Sequence, residues 1–165
     1  NMELSITKIG EDKGLGKMSK LDKHSFEFRW VQNVVKADGS TSPEGCKAFV
    51  TGMAPGVDTW AAEEVLLLKT HFPELKLYAA VPYKKQFERL FGWQKERYFL
   101  ILSRCEKVFL LCEKYDRRCF HLRNEFMVRN ATRLISVFNG DTGGTANTVK
   151  SAARKGIEIY NISIK

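Results

Sequence analysis

Short, almost uninterrupted apolar runs alternate with stretches of helical character along most of this sequence, and this alternation limits its possible folds more than any other feature. Strands that read as continuous apolar runs are typical of a parallel sheet buried on both faces. We predict six such strands, at residues 4–7, 46–51, 75–81, 107–112, 133–138 and 157–162. A sheet of this kind requires a layer of helices on each side.

The segments between the strands supply those helices. Apolar residues at helical spacing predict helices at residues 22–36, 57–71, 83–104, 119–130 and 145–155, with a break at Gly92. The expected fold is therefore α/β, a single Rossmann-like three-layer domain with a mostly parallel sheet and right-handed crossovers. The chain has 165 residues, about the length of one domain. We place that domain at residues 2–165, because Asn1 ahead of Met2 resembles a cloning remnant.

Composition excludes several classes of protein. Apolar residues make up 44% of the chain and charged residues 28%, as in an ordinary globular protein. No window approaches the roughly 20 apolar residues of a membrane helix, and no signal segment opens the chain. We therefore expect a cytoplasmic protein without membrane contact. The net charge of +8 suits a phosphate-bearing partner, and equally a basic, solubilising surface.

The potential metal ligands are dispersed. The chain has four cysteines without C-x-x-C spacing and three scattered histidines. They are Cys46, Cys105, Cys112 and Cys119, and His24, His71 and His121. This spacing does not match a zinc site. We predict free, mostly packed thiols, with no metal and no cofactor.

A glycine-bearing turn follows the second predicted strand and leads into a helix. It reads TGMAPGVDTW from Thr51. Gly52 and Gly56, with Met53 between them, let the backbone approach a ligand, and the helix N-terminus offers N–H groups to an anion. The charge of Asp58 in the first helical turn would oppose a phosphate, so we assign Asp58 to a ribose hydroxyl or another polar partner. The alternative is that it only complements the helix dipole.

A second glycine turn follows the fifth predicted strand and reads NGDTGGTANT. Gly143 and Gly144 with the Thr145 hydroxyl predict a phosphate cradle, although a plain tight turn would have the same residues. The turn is neither a P-loop nor a dinucleotide fingerprint. Ligands of open α/β sheets bind beyond the carboxyl ends of the strands, where both turns lie. Together the turns predict a nucleotide-type pocket.

Two further segments follow strands. Residues 8–17, rich in glycine and lysine, are compatible with a loop that folds over an anion and equally with a surface loop. Tyr115, Asp116, Arg117 and Arg118 follow the fourth strand, and the two arginines could contact phosphate or only solvent.

The two turns, in this order, resemble those of the YpsA-type family, which belongs to the SMF/DprA–LOG (SLOG) superfamily of Rossmann-like domains. Further similarities are Val81-Pro82, Gln94 with Arg97-Tyr98, Arg123-Asn124 with Met127, and residues 155–159. The resemblance is strongest over residues 46–162. Family members carry Gly-His-Arg-Pro after the first strand, whereas Lys8-Ile9-Gly10 follow here.

The resemblance implies that the chain binds a nucleotide or nucleotide-derived ligand, which it senses or sequesters, and that it forms homo-oligomers. Carried onto this sequence, the ligand-binding residues are Gly52, Met53, Gly56, Asp58, Arg123, Asn124, Gly143, Gly144 and Thr145. Arg123 matches the LOG-type arginine motif and is expected to meet a phosphate bidentately. The alternative is that Arg123 is a plain surface residue.

The resemblance leaves catalysis open. LOG-type members cleave the N-glycosidic bond of nucleoside monophosphates, which needs a positioned carboxylate. They carry a glutamate just after the Gly-Thr loop, where Asn147 and Thr148 stand here, and an amide cannot act as a base. Glu63 and Glu125 are the remaining candidates for a catalytic carboxylate. We therefore expect a binding protein, with a nucleoside-monophosphate N-glycosidase (phosphoribohydrolase) as the alternative.

Nucleic acid is a second alternative partner. DprA-type members bind single-stranded DNA, and the basic charge together with Trp93, Tyr98 and Phe120 suits such a ligand. These aromatics occur at helical spacing among apolar residues, however, and this spacing favours packing in the core.

Overall fold

The computed structural model describes residues 46–138, 140 and 142–162, together with the backbone of residues 4–7. The predicted helix at residues 22–36 and the loop at residues 8–17 lie outside the described residues. So do Asn139 and Asp141 of the second glycine turn.

The predicted strands form one parallel sheet. They are β1 (Leu4–Thr7), β2 (Ala48–Thr51), β3 (Lys76–Tyr83), β4 (Lys107–Cys112), β5 (Arg133–Val137) and β6 (Glu158–Ile162). Their order is β4-β3-β2-β1-β5-β6, and every neighbouring pair is parallel. The chain moves away from β1 in one direction through β2 to β4 and in the other through β5 to β6. The strand order therefore reverses between β1 and β5, where ligands of such sheets bind.

Helices cover both faces of the sheet. They are α1 (Val57–Lys69), α2 (Gly92–Arg104), α3 (Cys119–Asn130) and α4 (Gly144–Arg154), with a short 3₁₀-helix at Gln86–Arg89. Helix α1 packs against α2, and α3 packs against α4. Right-handed crossovers place the two pairs on opposite faces. This arrangement confirms the predicted Rossmann-like α/β fold.

The core follows the period-two alternation of the strands. Phe49 and Leu77 belong to the larger apolar cluster, with residues of α1 and α2. Their neighbour Val50 points to the other face, where it packs with Ala80 and with Met127 of α3. Successive strand residues thus anchor helices on opposite faces, which explains why the strands are apolar without interruption.

The prediction of one helical segment over residues 83–104 is wrong. Strand β3 continues through Pro82 to Tyr83, because β2 ends opposite Ala79 and the missing N–H of Pro82 interrupts no ladder on that side. The α-helix begins at Gly92 rather than breaking there, and the Phe91 N–H donates to Gln94 Oε1 at 3.0 Å.

The expected burial of β4 on both faces and of Trp93 in the core is also wrong. Val108 and Leu110 of β4 are 41% and 40% exposed, because β4 is an edge strand and one of its faces is incompletely covered. Trp93 is 62% exposed and lies against the Arg97 guanidinium, so it is not a core residue. Tyr98 is buried as predicted, and burial raises its pKa to about 12. Phe120 is half-buried.

Candidate functional site

The two glycine turns lie on either side of the carboxyl end of β1. In the sheet, Ile6 pairs with Thr51 at the end of β2, and Thr7 pairs with Ser136 near the end of β5. Neighbouring strands are about 4.8 Å apart, so the ends of β2 and β5 are separated by roughly 10 Å. This spacing suits a ligand of nucleotide size that contacts both turns.

The first turn is held by its own hydrogen bonds. The Thr51 hydroxyl donates to the Asp58 carbonyl at 3.1 Å and accepts from the Met53 N–H at 3.2 Å. The Ala54 N–H donates to Asp58 Oδ2 at 3.2 Å. Asp58 is only 2% exposed, so its carboxylate helps to shape the turn in addition to any role toward a ligand.

The backbone of this turn adopts conformations that L-residues avoid. Met53 is buried and has a φ of 56°, in the left-handed region. Gly56, which precedes α1, has a φ of 98°. A non-glycine residue with positive φ is uncommon, and such residues concentrate at functional sites. A role of Met53 and Gly56 in ligand binding stays a prediction.

Gly52 lies against Asp58 and Arg123. The Arg123 guanidinium donates from Nη1 to the Gly52 carbonyl at 2.7 Å, and Arg123 is 8% exposed. A Cβ at Gly52 would lie 2.8 Å from Asp58 Oδ2 and 2.9 Å from Arg123 Cδ. The alternative of a plain surface arginine is therefore wrong: α3 inserts Arg123 into the first turn.

The second turn has a helix N-terminus suited to an anion. Gly143 precedes α4 with a φ of 142°, and its carbonyl accepts from the Asn147 N–H at 3.1 Å. Thr145 is 5% exposed, and the Thr148 hydroxyl donates to the Gly144 carbonyl at 2.9 Å. No side chain of the described residues caps α4, and its first turn has no acidic residue. The first N–H groups of such a helix lack intrahelical acceptors.

Helix α3 connects the two turns. Arg123 donates from Nε to Asn124 Oδ1 at 2.8 Å while it holds Gly52. Asn124 Nδ2 lies 3.8 Å from the position of a Cβ at Gly144. The predicted residues Gly52, Asp58, Arg123 and Asn124 thus form one connected group, and Gly144 lies beside it.

The two candidate catalytic glutamates make their described contacts elsewhere. Glu63 Oε1 is 2.7 Å from Arg97 Nε of α2. Glu125 accepts from the Ser151 hydroxyl at 2.7 Å and lies 3.5 Å from the Lys155 ammonium. The Ser151 hydrogen bond is the largest cause that lowers the pKa of Glu125. Both carboxylates therefore stabilise helix contacts, and a catalytic role for either stays a prediction.

Sequence reasoning missed one residue that contacts the first turn. Gln86 is 6% exposed, and its Nε2 donates to the Met53 carbonyl at 3.4 Å. Its position just beyond the end of β3 was the available signal, since such positions face the ligand side of the sheet. The interpretation of residues 83–104 as one helix concealed it.

Potential metal ligands are dispersed in the structure as well. All four cysteines are free, and Cys46 and Cys119 are buried. Residues 46–138, 140 and 142–162 contain no group of three histidine, cysteine, aspartate or glutamate side chains able to hold a metal ion.

Comparison with known proteins agrees with the fold and the motifs. A family model named YpsA, described as the YspA SLOG family, matches residues 26–165. UPF0398 proteins of Bacillus thuringiensis (strain Al Hakam) and Bacillus cereus (strain AH187) are each 33% identical over 111 residues, or 64% of this chain. The match spans 59% of the length of these relatives.

A solved structure is also similar. The DNA processing protein A (DprA) from Streptococcus pneumoniae superposes with a TM-score of 0.63 at 15% identity, over 99% of this chain and 50% of that protein. At this identity the similarity concerns the fold alone. The family match covers most of the chain and includes both glycine turns, and we conclude that the chain belongs to the YpsA family of SLOG proteins.

Proposed function

We propose that this protein binds a nucleotide or a nucleotide-derived ligand at the two glycine turns and thereby senses or sequesters it. The observation that carries the proposal is the link through α3. Arg123 holds the Gly52 carbonyl at 2.7 Å, while the adjoining Asn124 lies beside Gly144. Helix α3 thus adjoins both turns, which end at helix N-termini on either side of the reversal of strand order between β1 and β5.

The two turns suit different parts of such a ligand. Helix α4 begins without an acidic residue, so its N–H groups at Gly144 and Thr145 suit a phosphate. Helix α1 carries the buried Asp58 in its first turn, where a carboxylate would repel a phosphate but can accept from a ribose hydroxyl. We therefore assign the phosphate to the second turn and the sugar to the first.

Binding without turnover is the form of the proposal that the residues favour. Asn147 and Thr148 replace the glutamate expected from LOG-type enzymes, and Glu63 and Glu125 contact neighbouring helices. N-glycoside hydrolysis of a nucleoside monophosphate stays the first alternative.

Single-stranded DNA stays the second alternative. The similarity to DprA, a DNA processing protein, and the exposed Trp93 favour it. The burial of Tyr98 and the partial burial of Phe120 oppose it, because a stacking platform must be open to the bases.

A thermal-shift screen followed by chromatography of each ligand distinguishes the three functions. The panel contains AMP, other nucleoside monophosphates, NAD, ADP-ribose, cyclic dinucleotides and a short DNA single strand. At about 100 times its Kd, a ligand stabilises the fold by about 2.7 kcal/mol, which raises Tm by roughly 5–10 °C for this length.

We expect a shift with a nucleotide that is recovered intact. Release of free base would instead establish the hydrolase. A response to the oligonucleotide alone, falling steeply with salt, would establish the DNA-binding function. No response to any member of the panel would contradict the proposal.

Self-association and a cytoplasmic location remain predictions. Light scattering after size-exclusion chromatography measures the self-association.

No helix among the described residues is long and apolar enough to cross a membrane.

A further inference from the structure

A cavity of about 450 Å³ opens beyond the carboxyl ends of β3 and β4, on the ligand side of the sheet. Tyr83 ends β3, and the segment that follows β4 supplies Tyr115. The volume falls within the usual range for small-molecule sites, roughly 300–1,000 Å³. Neither the family resemblance nor the glycine turns involve this cavity.

Two of the lining residues are aromatic, and a planar group lies over one of the two rings. The rings of Tyr83 and Tyr115 meet edge to face, with centroids 5.1 Å apart. The Arg89 guanidinium carbon lies 4.4 Å from the Tyr115 centroid, and Tyr115 is 49% exposed. A ring face that accepts a planar guanidinium can also accept a nucleobase.

The lining is also basic. It carries Lys84, Lys85, Arg89 and Lys114 against Glu88 and Glu113, a net charge of +2. Glu113 Oε2 lies 3.8 Å from Lys84 Nζ, and Glu88 Oε1 lies 3.1 Å from Lys85 Nζ. Basic groups beside an exposed aromatic face are the combination that recognises a base together with its phosphate.

A buried polar atom in the lining of the cavity points to a ligand. The Tyr83 hydroxyl and Gln86 Oε1 have no hydrogen-bond partner within the described part of the chain, although Tyr83 is 3% and Gln86 6% exposed. Burial raises the pKa of Tyr83, so its hydroxyl keeps its proton and remains a donor. A donor thus lies in the wall of the cavity, and Gln86, which follows the lining residue Lys85 in sequence, carries an acceptor.

The cavity adjoins the glycine-turn site through side-chain contacts. Gln86 donates to the Met53 carbonyl of the first turn at 3.4 Å. On the other side, the ring of Phe120 is 6.0 Å from Tyr83 and 5.7 Å from the guanidinium of Arg123. These contacts place the cavity beside the first turn, as a ligand that spans both sites would require.

We propose that this cavity binds the second base of a ligand composed of two nucleoside units joined through phosphate. The inference rests on the proposed function for the first unit, which the glycine turns hold. The second base stacks on Tyr115 in place of the Arg89 guanidinium, which turns toward the phosphate together with the lysines.

Calorimetric titration with two probes, AMP and the 5′-phosphorylated dinucleotide pApA, tests the proposal. The variants are Tyr115→Ala and Gly144→Asp. Tyr160→Ala, an exposed tyrosine on the opposite edge strand β6, controls for the loss of a surface ring. We expect wild-type protein to bind pApA about tenfold or more tightly than AMP, a stacking gain of ordinary size.

We expect Tyr115→Ala to abolish that gain and leave AMP affinity unchanged, while Tyr160→Ala changes neither. Equal wild-type affinities for the probes, or a pApA affinity unaffected by Tyr115→Ala, would overturn the second site. A loss of AMP binding in Tyr115→Ala would overturn it too, because the cavity would then hold the only unit. An AMP affinity unaffected by Gly144→Asp would overturn the glycine-turn function, and with it the assignment of this cavity to a second base. Binding of neither probe would overturn both sites.

Discussion

Gly52 shows how one missing side chain permits the site. Arg123 Nη1 reaches its carbonyl at 2.7 Å only because nothing occupies the space in front of the backbone. The neighbouring Asp58 fills the rest of that space, with Oδ2 2.8 Å from where a Cβ would be. The glycine is therefore a steric requirement of the buried arginine, apart from any contact with a ligand.

Gly52→Ala should reduce the free energy of unfolding by about 1–3 kcal/mol, the usual cost of overpacking. Its methyl group must displace Arg123 or Asp58, both of which are buried. Urea denaturation measures the effect. Gly92→Ala is the matched control, because a Cβ there has nothing within 4 Å. Equal stability of the two variants would contradict the packing described for Gly52.

At the scale of elements, α3 joins the core to the site. Met127 lies one turn beyond Arg123 and is fully buried against Val50 and Ala80 of the sheet. The same face of the helix thus packs on the sheet and delivers the guanidinium to the first turn. Helix α4 packs against α3 and is joined to it by the contact between Ser151 and Glu125.

Met127→Ala should cost about 2–5 kcal/mol of stability, as deletion of a fully buried methionine does. Leu122→Ala on the same helix is the control. Leu122 is 46% exposed, and we expect a loss of only about 0.5 kcal/mol. Thermal or urea unfolding compares the two. Similar losses would mean that α3 does not pack on the sheet through Met127.

We expect the contact between α3 and α4 to depend on pH. The hydrogen bond from the Ser151 hydroxyl lowers the pKa of Glu125 in the folded state. The stabilisation of the fold by this bond is therefore complete above the unfolded-state pKa of about 4.3, and it is lost as pH falls through the lower folded-state pKa. Ser151→Ala should therefore cost about 1 kcal/mol at pH 7 and less in acid, measured by urea unfolding at both pH values. Ser103→Ala, whose hydroxyl donates to the Leu100 carbonyl, should show no such pH dependence. A cost for Ser151→Ala that is the same at both pH values would contradict the assignment.

At the scale of the whole molecule, the sequence predicted the parallel strands of the sheet, but it did not predict that β4 lies at an edge. Continuous apolar runs such as residues 46–51 revealed parallel strands, because burial on both faces excludes alternation. The same pattern wrongly predicted that β4 is buried on both faces. Its letters KVFLLC match a central strand, but strand order is set by the whole topology, which places β4 at the edge.

The sequence predicted which residues belong to the candidate site, but not the contacts that those residues make with one another. Glycines and short polar residues after strands marked both turns, and the arginine of α3 was found through the family resemblance. The hydrogen bond from Arg123 to Gly52 joins residues 71 positions apart, and no local spacing predicts it. Gln86 was missed because a proline inside β3 resembled the end of the strand.

The most direct test of nucleotide binding at the glycine turns is calorimetric titration of wild-type protein, Gly144→Asp and Gly92→Asp with the nucleotide that stabilises it most. Both glycines begin a helix, so each variant adds one carboxylate at a first helical residue. A Cβ at Gly144 is in ordinary contact, 3.8 Å from Asn124 Nδ2. We predict that Gly144→Asp weakens binding at least about tenfold, or 1.4 kcal/mol, because its charge repels the phosphate, while Gly92→Asp has no effect. Unchanged affinity in Gly144→Asp, or equal losses in both variants, would contradict a phosphate site at the second turn.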